Sequence, residues 1–224
     1  MHAQHQAVTE LLRAGKRVRD STFDAVYSDD VRRVSGRFWT PVEIARTAAR
    51  WLASQGARSV LDVGSGAGKF CIVASHTVEQ KITGLEQRSA LLEAARAASK
   101  AYGASAEYKL GTLETHDPGA YDAFYLFNPF GENLYPVTEQ FDTGPELSTL
   151  RYSSDLSIFE HWLDHAPVDT CVVTYHGFGG RMPDTYQLLR SLPKGTDLLR
   201  LWKKKRAGRA EGHIPERSLT VARL

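Results

Sequence analysis

Val60-Leu61-Asp62-Val63-Gly64-Ser65-Gly66-Ala67-Gly68-Lys69-Phe70 is the stretch on which the reading of this chain turns. A short apolar run bounded by turn residues, Ser59 to Val63, has the length and composition of a buried strand. It enters three glycines at alternate positions. Glycine there lets the backbone turn tightly and lets a ligand approach main-chain atoms. From Gly68 to about Thr77 the chain reads as a helix, and a helix amino end offers N–H donors and a favourable dipole to a carboxylate or phosphate. The segment therefore predicts a ligand site at the carboxyl end of the first strand.

Downstream, strands and helices alternate. Lys81 to Leu85 reads as a second strand and Ser89 to Tyr102 as an alanine-rich helix stopped by Gly103. Ala106 to Leu110 and Ala123 to Phe127 follow as third and fourth strands, Ser154 to His165 as a helix, and Thr170 to Tyr175 as a fifth strand. Pro183 to Leu192 reads as a helix, and Asp197 to Lys203 and Ser218 to Arg223 as two closing strands. Alternation of this kind implies a parallel sheet covered on both faces. The closing strands have no room for a crossover helix, so they are expected to pair antiparallel at an edge. The fold class is thus α/β: a Rossmann-like seven-stranded sheet, mostly parallel, with an antiparallel C-terminal edge hairpin and helices on both faces. Upstream, residues 6 to 19 have helical spacing and 20 to 38 look irregular. Thr40-Pro41 opens a further helix, with Thr as cap and Pro in the first turn, that Gly56 ends.

Spacing separates the two nucleotide-like ligands such a loop can hold. The dinucleotide fingerprint is Gly-x-Gly-x-x-Gly. Here the glycines are Gly64, Gly66 and Gly68, and Lys69 stands where the third glycine would be. Glu86 ends the second strand, where an acid can accept both ribose hydroxyls. With Asp62 in front of the loop, the segment resembles the first motif of the Rossmann-like (class I) S-adenosylmethionine-dependent methyltransferases. The resemblance runs from about Ser59 to the carboxyl end and includes the edge hairpin. It implies S-adenosyl-L-methionine as cofactor, with Asp62, Gly64, Ser65, Gly66 and Gly68 about the methionine moiety and Glu86, with Gln87 beside it, at the ribose. Many members place an acid after the third strand to receive the adenine amine. This chain reads Gly111-Thr112-Leu113-Glu114, so Thr112 or the backbone at Leu113 stands at that contact.

Asn128-Pro129-Phe130-Gly131 follows the fourth strand, at the edge where open sheets bind ligands. An amide oxygen there can orient an acceptor nitrogen toward a methyl carbon, which is catalysis by positioning. Phe130 offers a surface for a flat acceptor. The segment is similar to the Asn/Asp-Pro-Pro-Tyr/Phe motif of amino-methyltransferases, with one proline in place of two, which implies catalytic roles for Asn128 and Phe130 and contact of Asn128 with the cofactor. Asn-Pro is also a turn signal after a strand, so a structural Asn128 stands as the alternative. Phe38-Trp39-Thr40-Pro41 is similar to an aromatic-x-Thr-Pro segment that lies against the cofactor in several of these enzymes, and adds Thr40 to the cofactor set. His176, after the fifth strand, is a candidate base or a structural loop histidine.

Composition bounds the rest. The chain has 224 residues, 24% of them charged, and a formal net charge of +2, so overall charge does not argue for a nucleic-acid partner. Cys71 and Cys171 sit in apolar runs and read as core thiols, with no spacing for a metal site. No signal-peptide or membrane-length apolar run is present, which predicts a cytoplasmic protein with no membrane partner. Residues 1–56 are expected to form an N-terminal helical cap and 57–224 the cofactor-binding domain, in one compact domain overall. The expected activity is N-methylation of a protein side chain or small molecule. The alternatives are a non-catalytic S-adenosylmethionine-binding sensor module, a nucleic-acid base methyltransferase, and a nicotinamide oxidoreductase. Lys203 to Arg206 with Arg209 is the densest basic run, expected on the closing hairpin and its tip.

Overall fold

The structure is a computed structural model and describes residues 2–142, 144–195 and 197–207. Its strands are β1 (Ser59–Val63), β2 (Lys81–Glu86), β3 (Glu107–Leu110), β4 (Ala123–Phe127), β5 (Cys171–Tyr175), β6 (Tyr186–Lys194) and β7 (Asp197–Lys204). They form one sheet in the order β3-β2-β1-β4-β5-β7-β6. β1 to β5 pair in parallel, and β7 runs antiparallel to both β5 and β6. The order reverses between β1 and β4, which places a crevice above their carboxyl ends.

Alternate residues of the central strands feed two cores. From β4, Ala123 and Tyr125 join one cluster, and Phe124 and Leu126 the other. The first cluster lies under the helices α1 (His2–Arg13), α5 (Val42–Ser54), α6 (Lys69–Thr77) and α7 (Ser89–Tyr102). The second lies under α8 (Thr149–His165), whose Phe159 and Trp162 pack on Phe124 with ring centroids 5.8 and 6.2 Å away. Strands buried on both faces are apolar at successive positions, and so β1, β4 and β5 are legible as short continuous runs.

Several expectations are corrected. The amino-terminal helix ends at Arg13, because Gly15 turns the chain with φ +66°. Residues 20–38 are short helical turns, with α2 (Asp20–Phe23), α3 (Asp29–Arg33) and α4 (Ser35–Phe38). Thr40 does not cap α5: Pro41 is the cap residue, Asp20 Oδ1 accepts from Val42 N at 2.9 Å, and the Thr40 hydroxyl bonds the Tyr125 hydroxyl at 2.9 Å. The helix expected over 183–192 is strand β6. A bulge between Leu188 and Arg190 inserts one residue into the ladder. The insertion breaks the period of two and leaves apolar residues at 188, 189 and 192, a spacing that imitates a helix. The edge hairpin therefore consists of β6 and β7, and the strand expected over 218–223 lies outside the described residues.

The basic run moves accordingly. Lys203 to Arg206 falls at the end of β7, away from the hairpin turn, and Arg209 lies outside the described residues. Lys204 is fully buried and donates from Nζ to the carbonyls of Leu163 and Asp164 at 2.8 and 2.7 Å. It satisfies the last carbonyls of α8, as a cation at a helix carboxyl end does.

Candidate active site

The glycine loop is built by its contacts. Gly64, Gly66 and Gly68 have φ of +71°, +54° and +77°, a region that side chains disfavour. Gly64 N and Ser65 N donate to Leu85 O at 3.0 and 2.9 Å, tying the loop to the end of β2. A Cβ at Gly64 would lie 2.9 Å from Pro129 Cβ, and one at Gly66 would strike the Trp39 ring. Glu86 is buried at the end of β2. Its Oε2 accepts from Gly66 N and its Oε1 from Arg88 N, each at 2.9 Å. Burial pushes its pKa up, opposed by those backbone donors.

Above the loop lies a cavity of about 350 Å³, within the range of roughly 300–1,000 Å³ usual for small-molecule sites. It extends along the carboxyl ends of the strands, from Gly111, Thr112 and Leu113 after β3 to His176 after β5. Asn128, directly after β4, has φ +40°. A non-glycine residue held there signals local strain of the kind found at ligand clamps. Its N–H donates to Gly177 O at 3.2 Å, and its amide lies so close to Gly131 that a Cβ there would strike it. Phe130 is buried, lines the cavity and packs on Phe159.

The outer wall is aromatic and held by charges. Phe38 and Trp39 meet Phe141 with centroids 6.4 and 5.9 Å apart, and Phe38 meets Tyr135 at 6.3 Å. Arg37 pairs with Glu139 at 2.6 Å and lies over the Tyr135 ring. Arg88, two residues beyond Glu86, reaches Glu132 at 3.0 Å and Asp142 at 2.9 Å. Glu132 also accepts from Phe141 N at 2.6 Å, which closes residues 132–141 on themselves. At the opposite wall Arg151 Nε meets both carboxylate oxygens of Asp155 at 3.0 and 3.1 Å, and burial raises the Asp155 pKa against that cation.

Of the residues singled out from sequence, Gly64, Gly66, Glu86, Gln87, Thr112, Leu113, Asn128 and Phe130 line this one cavity. Asp62, Ser65 and Thr40 lie beneath the loop, around a void of about 20 Å³. Asp62 is held there by the Cys71 thiol at 3.3 Å, and burial pushes its pKa up to about 7. Gly68 is the left-handed residue from which α6 starts. Sequence reasoning missed Arg88, Asn133, Phe141, Arg151 and Asp155 as cavity residues. The one available signal was the clustering of Glu132, Glu139 and Asp142 in a long connection.

The cavity fits a nucleoside-type ligand. Gly64 and Gly66 line it with main chain, the buried acid Glu86 stands beside them at the end of β2, and Asn133 Oδ1 is buried with no hydrogen-bond partner among the described residues. No group of three or more His, Cys, Asp or Glu among the described residues is arranged to hold a metal ion. No helix among them is long and apolar enough to cross a membrane.

The sheet order and the comparisons agree. An RNA methyltransferase from Salinibacter ruber, solved with S-adenosyl-L-homocysteine, superposes with a TM-score of 0.54 at 18% identity, over 79% of this chain and 96% of that one. The fold is that of the class I methyltransferases. TrmN from Thermus thermophilus gives 0.55 at 15% identity, over 77% of this chain and 51% of its own. The ribosomal protein L11 methylase of Lactobacillus delbrueckii subsp. bulgaricus gives 0.50 at 14%, over 73% and 78%. The model of the N-6 DNA methylase family matches residues 25–109. No curated protein matches the sequence. The family match covers the glycine loop and Glu86 and ends before Asn128, so it bears on the cofactor half of this class I methyltransferase fold.

Proposed function

We propose that the chain is an S-adenosylmethionine-dependent methyltransferase that modifies a nitrogen of a small molecule or protein side chain. The observation that carries the reading is the convergence of Gly64, Gly66, Glu86 and Asn128 on one cavity. Bound there, S-adenosylmethionine would supply a methyl group on a sulfonium, so the protein need only bind, align and exclude water. The glycine loop and Glu86 would hold the methionine and ribose parts, and Thr112 and Leu113, which line the same cavity, would receive the base. Asn128, fixed by Gly177 O and Gly131, presents an amide that can accept from the acceptor's N–H and set the direction of its lone pair. The wall of Phe38, Trp39, Tyr135 and Phe141 would keep water from the transfer.

A small or side-chain acceptor is favoured by the near-neutral chain charge. A second reading, methylation of a nucleobase amine, is favoured by the N-6 DNA methylase match, although that match does not reach Asn128.

The test is calorimetry with S-adenosylhomocysteine, followed by mass spectrometry of small-molecule, protein and nucleic-acid fractions incubated with isotopically labelled methyl donor. Asn128→Gly keeps the left-handed backbone and removes the amide. It is expected to lower methyl transfer by roughly 100-fold, as loss of a positioning contact does, while leaving S-adenosylhomocysteine affinity within a few-fold. Absence of binding by the wild-type protein would reject the reading. Unchanged transfer by Asn128→Gly would remove the role of the amide.

A further inference from the structure

Two non-glycine residues of the cavity wall are held at positive φ: Asn128 after β4 and His176, at +59°, after the neighbouring strand β5. The bond from Asn128 N to Gly177 O fastens the two turns to each other. His176 is further fixed by its rings of contact, with Phe127 at 5.1 Å and Tyr175 edge-on at 4.4 Å. Its Nδ1 lies 2.9 Å from Asp197 Oδ2, at the start of β7. Two lone pairs that close would repel, so Nδ1 carries a proton, and in the neutral ring the lone pair is on Nε2. The second ring nitrogen has no partner among the described residues. A carboxylate beside one imidazole nitrogen is the arrangement that fixes tautomer and orientation when the other nitrogen has work to do.

We propose that His176, positioned by Asp197, is the general base that takes the proton from the methyl acceptor. The proposal rests on the methyl-transfer reading above and extends it. Asn128 alone can aim a nitrogen, but it cannot take a proton. An acceptor N–H that attacks a methyl carbon becomes cationic, and it must lose a proton to give a neutral product. In the balanced step, the nitrogen lone pair forms the N–CH₃ bond while the sulfur–methyl bonding pair returns to sulfur. The N–H bonding pair then stays on nitrogen, and the proton passes to His176 Nε2. The imidazolium is stabilised by the Asp197 carboxylate and gives the proton to water when product leaves. Imidazole is the side chain most used for such transfers, and a positioned base typically contributes about 100- to 10,000-fold.

The experiment uses the full chain, S-adenosylhomocysteine as binding probe and cell extract with labelled methyl donor as acceptor pool. His176→Asn is the main variant, because asparagine tolerates the left-handed backbone better than alanine. Asp197→Asn is the second. Expected are wild-type affinity for S-adenosylhomocysteine within about 3-fold in both, and labelled-methyl transfer lowered roughly 100-fold in His176→Asn and roughly 10-fold in Asp197→Asn. Nitrogen-15 spectra of the ligand-free protein should show the neutral His176 ring with its proton on Nδ1, and Asp197→Asn should weaken that preference. Wild-type protein that neither binds S-adenosylhomocysteine nor transfers methyl would overturn the parent reading, and this proposal with it. Full transfer by His176→Asn, or a proton on Nε2 in the neutral ring, would overturn the base alone. Parallel loss of binding and transfer in His176→Asn would also overturn it, by making the residue structural.

Discussion

Asp62 shows how one position can be legible in kind and not in setting. Its place before the glycine loop marks it as part of a ligand site, yet the chain buries it under that loop with a thiol as its hydrogen-bond donor. Burial raises the carboxyl pKa from 3.8 to about 7. Between those two values the folded state holds the proton and the unfolded state has lost it. Stability therefore falls as pH rises from about 4 to about 7, by an amount on the order of a few kcal/mol. Asp62→Asn removes the titrating group and should flatten that slope, raising the melting temperature at pH 8 relative to wild type. Melting curves at half-unit steps from pH 4 to 8 make the comparison. Parallel curves for the two proteins would show that Asp62 is not ionised at a cost in the fold. Glu86 differs from Asp62 although both are buried. Two backbone N–H groups meet its carboxylate, and hydrogen bonds to the charged form oppose desolvation.

At the scale of elements, what was legible is what is local. The helix Ser89–Tyr102 is bounded as expected because Gly103 at φ +60° stops it, and Ala123–Phe127 is bounded as expected because every residue of it is apolar or aromatic. The glycine loop and Glu86 were readable for the same reason: their chemistry lies within a few residues of the strands that carry them. The hairpin was readable as an edge pair but not as these residues, since a bulge hides the alternation of β6. The internal order of the connection 131–142 was not legible. Its order comes from Arg88, and contacts between residues 88 and 132 or 142 leave no periodic trace. The Arg88–Glu132 pair is nearly dry, with side chains 9% and 13% exposed, whereas the Asp142 side chain is 35% exposed. Arg88→Ala would leave Glu132 buried without its cation, at a cost of about 3 kcal/mol or more. Faster amide exchange over 131–142 and S-adenosylhomocysteine affinity weakened by roughly 10-fold are expected, the latter equal to about 1.4 kcal/mol. Exchange rates unchanged in that segment would mean that the aromatic wall holds it without Arg88.

For the molecule as a whole, the question is how residues before the first strand are joined to a sheet that begins at Ser59. The answer lies in the residue that departs from the dinucleotide fingerprint. Lys69, 2% exposed, stands at the start of α6 with Nζ 2.7 Å from Asp20 Oδ1 and 2.8 Å from Asp24 Oδ1. Asp24 in turn accepts from the Ser35 hydroxyl at 2.6 Å, and Asp20 accepts from Val42 N, the first N–H of α5. One ammonium thus links two amino-terminal turns and the start of α5 to the glycine loop, while the Tyr27 hydroxyl donates to Ala67 O at 3.0 Å beside it. A third glycine would pack helix on strand but would leave this link unmade. The Trp39 ring over Gly66 depends on the same segment being in place, and so does the aromatic wall of the cavity. Lys69→Met keeps the apolar stem and removes the charge, leaving Asp24 buried without its cation. The expected loss of stability is about 3–5 kcal/mol, read from the denaturation midpoint, together with weaker S-adenosylhomocysteine binding. Adding Asp24→Asn to Lys69→Met removes the stranded charge and should recover much of the stability. Binding should recover less, because the amide replaces a charge and not the ammonium that draws Asp20 to the loop. Additive losses in the double variant would show that Lys69 and Asp24 act separately, and that packing alone joins the amino-terminal segment to the sheet.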